Sequence, residues 1–337
     1  MKAVVLVGGE GTRLRPLTET IPKPLLPFMN RPFFGHVLDH LAAHGVEEVI
    51  CSSPYLEGAF LRFLEAQGEG PRVTWIEEAE PLGTAGAVVG ALGRVDGTFL
   101  VLNGDVLTDM DLGELVRVHR DRAAVATIAL TPVEDARPFG LVETAPDGRV
   151  LAFREKPAEP VAGTINAGTY VLEPRALERA PTGVMVSIER ETYPDLIARG
   201  EPVYAHVAGG YWRDVGTPEA YLAAHLDALG GRVGGRRYPR PTLAEGTRVD
   251  PAADVGPLVV AGPGVSVGPG ARLGRSVLHR GVEVGEGSVV DGSVLGPSVR
   301  VGAGASVRDS VLGEGASVPR GASLEGARVS AGASRGT

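Results

Sequence analysis

From Val249 onward an aliphatic residue returns every six positions: Val249, Val255, Ala261, Val267 and Leu273. Three longer units follow at a period of 17: SVLHRGVEVGEGSVVDG from Ser276, SVLGPSVRVGAGASVRD from Ser293 and SVLGEGASVPRGASLEG from Ser310. Few patterns leave a chain so little choice. A hexad with one aliphatic residue and frequent glycine is one side of a triangular coil, its aliphatic side chain pointing inward, and three hexads close the coil. A residue lost at one corner turns 18 into 17. This predicts a left-handed parallel β-helix over 247–330, with room for about four to five coils. The Gly-, Arg- and Pro-rich stretch 230–246 reads as a linker, and 331–337 as a fraying tail. His279 is the one histidine in the repeats. Acyl transfer on a β-helix needs a catalytic histidine, but this helix is short for that work, so His279 is expected at the surface. The flat faces suit contacts between subunits of a homodimer or larger homo-oligomer.

The other end of the chain has a different texture. Ala3–Val7 is a short apolar run rich in β-branched residues, as in a buried parallel strand. Gly8, Gly9 and Gly11 follow at once, then Arg13, Arg15 and Lys23 between two prolines. Glycines after a first strand let backbone N–H groups approach a phosphate. The spacing fits neither the Walker A loop, because no lysine follows Gly11, nor the dinucleotide fingerprint, because Leu14 stands where the third glycine belongs. A glycine-rich turn alone is an ordinary strand-to-helix connection. The added cations and the proline-stiffened lysine point to a polyphosphate.

Lysine usage sharpens this. The chain has three lysines, Lys2, Lys23 and Lys156, and uses arginine elsewhere. A planar guanidinium does not replace a compact ammonium on a phosphate, so Lys23 and Lys156 are candidates for chemistry, and Lys2 reads as a surface residue. Net charge is −8 and no basic block occurs, which argues against nucleic-acid binding. A single cysteine, Cys51, and the lack of a signal peptide or membrane-length apolar run fit a cytoplasmic protein.

Between the two ends, strands and helices alternate, as in a doubly wound α/β sheet over 1–229. Strands are expected at Glu48–Ser52, Val73–Ile76, Phe99–Leu102, Val125–Leu130 and Asn166–Leu172, and a single helix over Ser187–Ala198. Pro81–Ala87 is a stretch of small residues, able either to admit a flat ligand or to form a tight helix start. Asn103-Gly104-Asp105 ends an apolar strand, where such folds bind ligands, and a carboxylate there suits Mg²⁺ held with phosphates. Asp109-Met110-Asp111 resembles a glycosyltransferase D-x-D, but capping of the helix from Leu112 is the simpler reading. Thr131–Val150 reads as a β-hairpin excursion. Asp214 either caps a turn or joins Asp105 on a metal.

Taken in order, LVGGEGTRLRPLT with PKPLLP, EPLGTAGA, LNGDV, FG-LV, FREKP, NAGTY, YWRDVGTPEAY and the hexads resemble the sugar-1-phosphate nucleotidyltransferases over nearly the whole chain. The resemblance implies a Rossmann-like mixed sheet followed by the β-helix, and transfer of a nucleotidyl group from an NTP to a sugar 1-phosphate with release of pyrophosphate. It implies that Leu6, Gly8, Gly9, Gly11, Thr12, Arg13, Gly83, Thr84, Gly86, Asn103 and Gly104 hold the nucleotide. Gly140, Glu155, Lys156 and Asn166 would line the sugar pocket. Arg13, Lys23, Asp105, Lys156 and Asp214 would carry the reaction, with Asp105 and Asp214 on Mg²⁺. Pro24 stands where the thymidylyl branch has Gln after the lysine, and the LGTAGA form and the C-terminal β-helix are more like the guanylyl branch, which uses GTP and mannose 1-phosphate. Thymidylyl or uridylyl transfer to glucose 1-phosphate is the alternative. A non-catalytic nucleotide-sugar-binding relative would be expected to lack one of the cations or acids.

Overall fold

Strand β1 (Lys2–Leu6) is an interior strand of a seven-stranded sheet. In chain order the sheet and its helices comprise α1 (Phe33–Ala43), β2 (Glu48–Ser53), α2 (Glu57–Ala66), β3 (Arg72–Glu77), α3 (Gly83–Ala91), β4 (Phe99–Asn103), α4 (Leu112–Asp121) and β5 (Ala126–Val133). A hairpin of β6 (Leu141–Thr144) and β7 (Val150–Arg154) follows, then β8 (Gly163–Leu172), α5 (Tyr193–Ala198) and β9 (Val203–Val207); α6 (Pro218–Leu229) comes next in the chain and belongs to the second unit described below. The sheet order is β9-β5-β8-β4-β1-β2-β3. All pairings are parallel except those of β8, which runs antiparallel to both β4 and β5. The sheet is therefore mixed, and its core of Val4, Ile50, Val101, Ile128, Tyr170 and their neighbours is fully buried. This computed structural model describes residues 1–53, 57–66, 68, 70–154 and 159–336. Among the described residues no helix is long and apolar enough to cross a membrane.

The chain forms two compact units, Met1–Gly9 with Val37–Trp212, and Glu10–His36 with Arg213–Thr337. The first contains the mixed sheet. The hairpin excursion is there, with β6 antiparallel to β7. Asp111 caps α4 by accepting the Glu114 N–H (3.1 Å), while Asp109 accepts the Tyr211 N–H (2.6 Å) instead. Lys2 is more than a surface residue: its ammonium donates to the Arg94 carbonyl (2.7 Å) beside Glu48 and Asp96. The helix expected over Ser187–Ala198 is in two parts, a π-helical turn Ile188–Thr192 and then α5. Pro194 has no N–H to donate back to the preceding turn, and a wider turn accommodates that loss.

The second unit contains the β-helix, with three parallel sheets of six, five and five strands. Thr242 pairs with Val260, 18 residues on, but Val260 pairs with Val277 and Val277 with Val294, each 17 on. The missing residue falls at a corner built from Ser276, Ser293 and Ser310, all fully buried. The Ser276 hydroxyl accepts the Ser293 N–H, Ser293 that of Ser310, and Ser310 that of Ala327 (3.0–3.1 Å). This ladder satisfies backbone donors at the tight corner. Within the segment read as a tail, Arg335 N–H donates to the Ser317 carbonyl (3.0 Å), and Ala333 packs on the β-helix core.

One β-helix face is covered. In the six-stranded sheet the inner residues Leu278, Leu295 and Leu312 form the core, yet their outward neighbours Val260, Val277, Val294 and Val311 are buried as well. The matching outward positions of a five-stranded sheet are the exposed Arg248, Glu283 and Arg300. Segments of Glu10–His36 and α6 reach the apolar face. Asn30 donates to the Ala261 carbonyl (3.0 Å), Ala331 N–H donates to Glu19 (2.8 Å), and Pro16 lies against Gly313. Hence His279 is buried, contrary to the surface position expected from the repeat. Its Nε2 meets the Tyr221 hydroxyl (3.0 Å), which itself donates to the Pro27 carbonyl.

Candidate functional site

In the second unit, the glycine loop continues as three single 3₁₀ turns, Thr12–Leu14, Leu17–Glu19 and Lys23–Leu25. Pro22 enters the third turn and Pro24 lies buried within it, so the backbone at Lys23 has little freedom. The Thr18 hydroxyl donates to the Gly11 carbonyl (2.7 Å) and folds the loop back. Gly11 then lies so close to Lys23 that an added Cβ would stand 3.2 Å from the lysine Cβ. The loop thus brings Gly11 and Lys23 together. Arg13 and Asp214 also meet, with Arg13 Nη2 3.8 Å from Asp214 Oδ2. The arginine side chain is 65% exposed, so this pair is weak and the guanidinium stays available to an anion. Gly216 leaves it space, because an added Cβ would lie 2.6 Å from Arg13 Nη2 and 2.9 Å from Asp214 Oδ1. Thr217, not Asp214, caps α6 by accepting the Ala220 N–H (3.2 Å). Thr12 is exposed on the same loop.

In the first unit, the ends of β1 and β4 are drawn together where Gly104 N–H donates to the Leu6 carbonyl (2.9 Å). Asp105 follows, half-buried. Gly8 is half-buried, and Gly9 is exposed with open space where a Cβ would sit. Asn103 lies over Gly168, whose φ of +72° and 2.6 Å clearance from Asn103 Nδ2 exclude a side chain. The buried Asn103 Oδ1 has no hydrogen-bond partner among the described residues. Asn166 is pinned at both ends of its amide: Oδ1 accepts the Gly168 N–H (2.9 Å), and Nδ2 donates to the Tyr170 oxygen (2.7 Å). Beside it Trp212 donates to the Ala167 carbonyl (2.8 Å) and stands edge-on to Phe139, which precedes Gly140. Glu155 and Lys156 lie outside the described residues.

The start of α3 has its own packing logic. A Cβ on Gly83 would lie 2.7 Å from the Val186 carbonyl, and one on Gly86 2.7 Å from that of Val184. The Ala85 N–H donates to Val186 (2.9 Å) and the Leu82 N–H to Glu78 (3.1 Å). The Thr84 hydroxyl donates to Glu189 Oε2 (3.1 Å) and accepts the Ile188 N–H (2.8 Å). These small residues admit a neighbouring protein segment, and the Thr84 hydroxyl is engaged internally. Glu189 and Tyr170 near Asn166, Trp212 beside Ala167, and, in the second unit, Gly216 beside Arg13 are residues that sequence reasoning did not single out. Glu189 lies in the first turn of the helix expected from Ser187, where an acid complements the helix start and draws no notice.

Among the described residues, no cluster of three or more His, Cys, Asp or Glu could hold a metal by itself. Asp105 belongs to the first unit and Asp214 to the second. Each offers oxygen only, the donor that a small hard cation takes together with water and substrate phosphates.

The family model described as Nucleotidyl transferase matches residues 2–230, and that described as GMPPB C-terminal domain matches 239–332. The chain is 41% identical over 274 residues to the mannose-1-phosphate guanylyltransferase of Mycobacterium tuberculosis, covering 76% of each chain. It is 39% identical over 270 residues to mannose-1-phosphate guanylyltransferase 1 of Arabidopsis thaliana, covering 76% of this chain and 73% of the other. Among solved structures, HddC from Yersinia pseudotuberculosis superposes with a TM-score of 0.59 at 30% identity, over 66% of this chain and 97% of that one. The same protein complexed with GMP-PN superposes equally well. With the mixed sheet, the glycine loop carrying Arg13 and Lys23, and a family model spanning residues 2–230, this chain belongs to the nucleotidyl transferase family.

Proposed function

We propose that the chain joins GTP to mannose 1-phosphate, forming GDP-mannose and pyrophosphate. The observation that carries the reading is the loop geometry: Gly11 pressed against Lys23, with the exposed Arg13 guanidinium beside Asp214 and Gly216. An oxygen of the sugar phosphate attacks the α-phosphorus, and the bond from that phosphorus to the pyrophosphate oxygen breaks. No covalent nucleophile is needed. The protein's work is to hold two anions in line and neutralise the charge that moves. Lys23 contacts the phosphates at the reacting centre, and Arg13 receives charge on the leaving pyrophosphate. The glycines Gly8, Gly9 and Gly11 let backbone N–H groups face the triphosphate, and Asn166 faces the sugar. Enzymes of this family generally use a divalent metal; we assign it as Mg²⁺, for which Asp105 and Asp214 would each offer a carboxylate oxygen. Such an ion would supply neutralisation of phosphate charge. The names of the relatives and the HddC complex with GMP-PN favour guanine over thymine or uracil.

Pyrophosphate release, measured with five NTPs against the 1-phosphates of mannose, glucose and N-acetylglucosamine, tests the reading. GTP with mannose 1-phosphate is expected to lead, and Lys23→Ala to lower its kcat/KM by about 10³-fold. Faster turnover of dTTP or UTP with glucose 1-phosphate would reassign the substrates. Release with no pair would leave only a binding role.

A further inference from the structure

We propose that Glu189 is a positioning residue that fixes which way the Asn166 amide faces, and so takes part in choosing the sugar. The inference rests on the reading of Asn166 as the sugar-facing amide. It follows from counting protons. The Tyr170 side chain is completely buried, and its hydroxyl has one hydrogen to give. Glu189 carries acceptors only when ionised. The Tyr170 hydroxyl donates to Glu189 Oε1 (3.1 Å), so toward Asn166 its oxygen can only accept. The group it meets there must be a donor, and it is Nδ2 at 2.7 Å. The amide carbonyl is left toward the Gly168 N–H (2.9 Å). Both ends of the amide therefore have one assigned direction, with one N–H and one lone pair left for a ligand.

Glu189 itself is held in place. Its Oε2 accepts from the Thr84 hydroxyl (3.1 Å) and the Ser187 hydroxyl (2.9 Å). The π-helical turn Ile188–Thr192 presents it. Such turns are uncommon and often coincide with functional positions. The carboxylate is the sole member of the chain Thr84–Glu189–Tyr170–Asn166 that has no proton to donate, so it sets the direction of the rest. A glutamine of the same shape breaks that logic. With its oxygen toward Thr84 and Ser187, its NH₂ faces Tyr170. The tyrosine then donates toward Asn166, the amide must turn, and its NH₂ meets the Gly168 N–H.

Glu189→Gln is therefore expected to raise KM for mannose 1-phosphate about tenfold. It should lower the preference for mannose over glucose 1-phosphate and leave KM for GTP within about twofold. Ser187→Ala removes a donor to Oε2 and a helix cap without touching Tyr170, so it should lower thermal stability but not sugar preference. Asn166→Ala is measured alongside. If it leaves KM for mannose 1-phosphate unchanged, the sugar-pocket reading fails and takes this inference with it. If it raises that KM while Glu189→Gln behaves as the unmodified protein, the inference alone is overturned. Should Glu189→Gln fail to fold, Tyr170→Phe gives the same test, and unchanged sugar kinetics in it would also overturn the proposal.

Discussion

Tyr221, His225 and His279 show how much a few side chains can decide. His225 Nε2 accepts the Met29 N–H (3.3 Å) and its Nδ1–H donates to the Tyr221 carbonyl (2.9 Å). The Tyr221 hydroxyl gives its proton to Pro27, so His279 must present Nε2–H to it. Both rings are neutral tautomers with set directions. Burial lowers His225 to about 4 and His279 to about 3. The folded state thus resists protonation that the unfolded chain accepts near the ordinary value of about 6.5. Stability from these groups is complete above that value and is lost as pH falls from it toward the folded values. Urea midpoints are expected to drop between pH 7 and pH 5, and to drop less in His225→Gln/His279→Gln. An equal drop would show that other groups govern the acid response. The hexad pattern marks inward and outward positions along the β-helix, but not which outward positions another segment covers, so His279 could not be placed from it.

At the scale of elements, the glycine loop is built by local sequence and then set by neighbours. Pro22 and Pro24 around Lys23 were legible, because proline restricts its own φ and the residue before it. The two-residue turn Met29-Asn30 was not, although both residues have positive φ (48° and 65°), as a tight hairpin between Pro27–Phe28 and Arg31–Pro32 requires. Gly216 reads in the sequence as an ordinary turn glycine, and its role is set by an arginine some two hundred positions away. Gly216→Ala is expected to displace the Arg13 guanidinium and lower kcat/KM with GTP by about 10- to 100-fold, with a small change in melting temperature. Unchanged kinetics would mean that Arg13 acts from another position. The Pro81–Ala87 stretch teaches the converse. Its small residues allow either a ligand or a protein segment, and here Val184–Val186 occupies the close approach to Gly83 and Gly86.

For the molecule as a whole, the β-helix is one part of a larger compact unit. Its six-stranded face shares a compact unit with Glu10–His36, the segment that carries Arg13 and Lys23. Removal of 247–337 would uncover α6 and that segment and strand Tyr221 without His279. The truncated chain is expected to aggregate or to lose most of its activity, measured by size-exclusion chromatography and pyrophosphate release. A soluble, fully active fragment would refute a supporting role for the β-helix. One sequence signal for the covered face was present: SVL at Ser276, Ser293 and Ser310 places apolar residues on both sides of a short strand, while the next strand reads Glu-Val, Arg-Val or Ser-Val.

The sequence by itself determined the alternation of strands and helices, the hexad coils, the stiffened lysine and the family. These follow from local periodicity and from backbone limits that a residue carries wherever it lies. Only the tertiary structure decided the antiparallel course of β8, the burial of His279, the clearance that Gly216 gives Arg13, and the proton order running from Glu189 to Asn166. Each depends on residues distant in the chain that share a donor, an acceptor or a volume, and no local pattern records which partner will arrive.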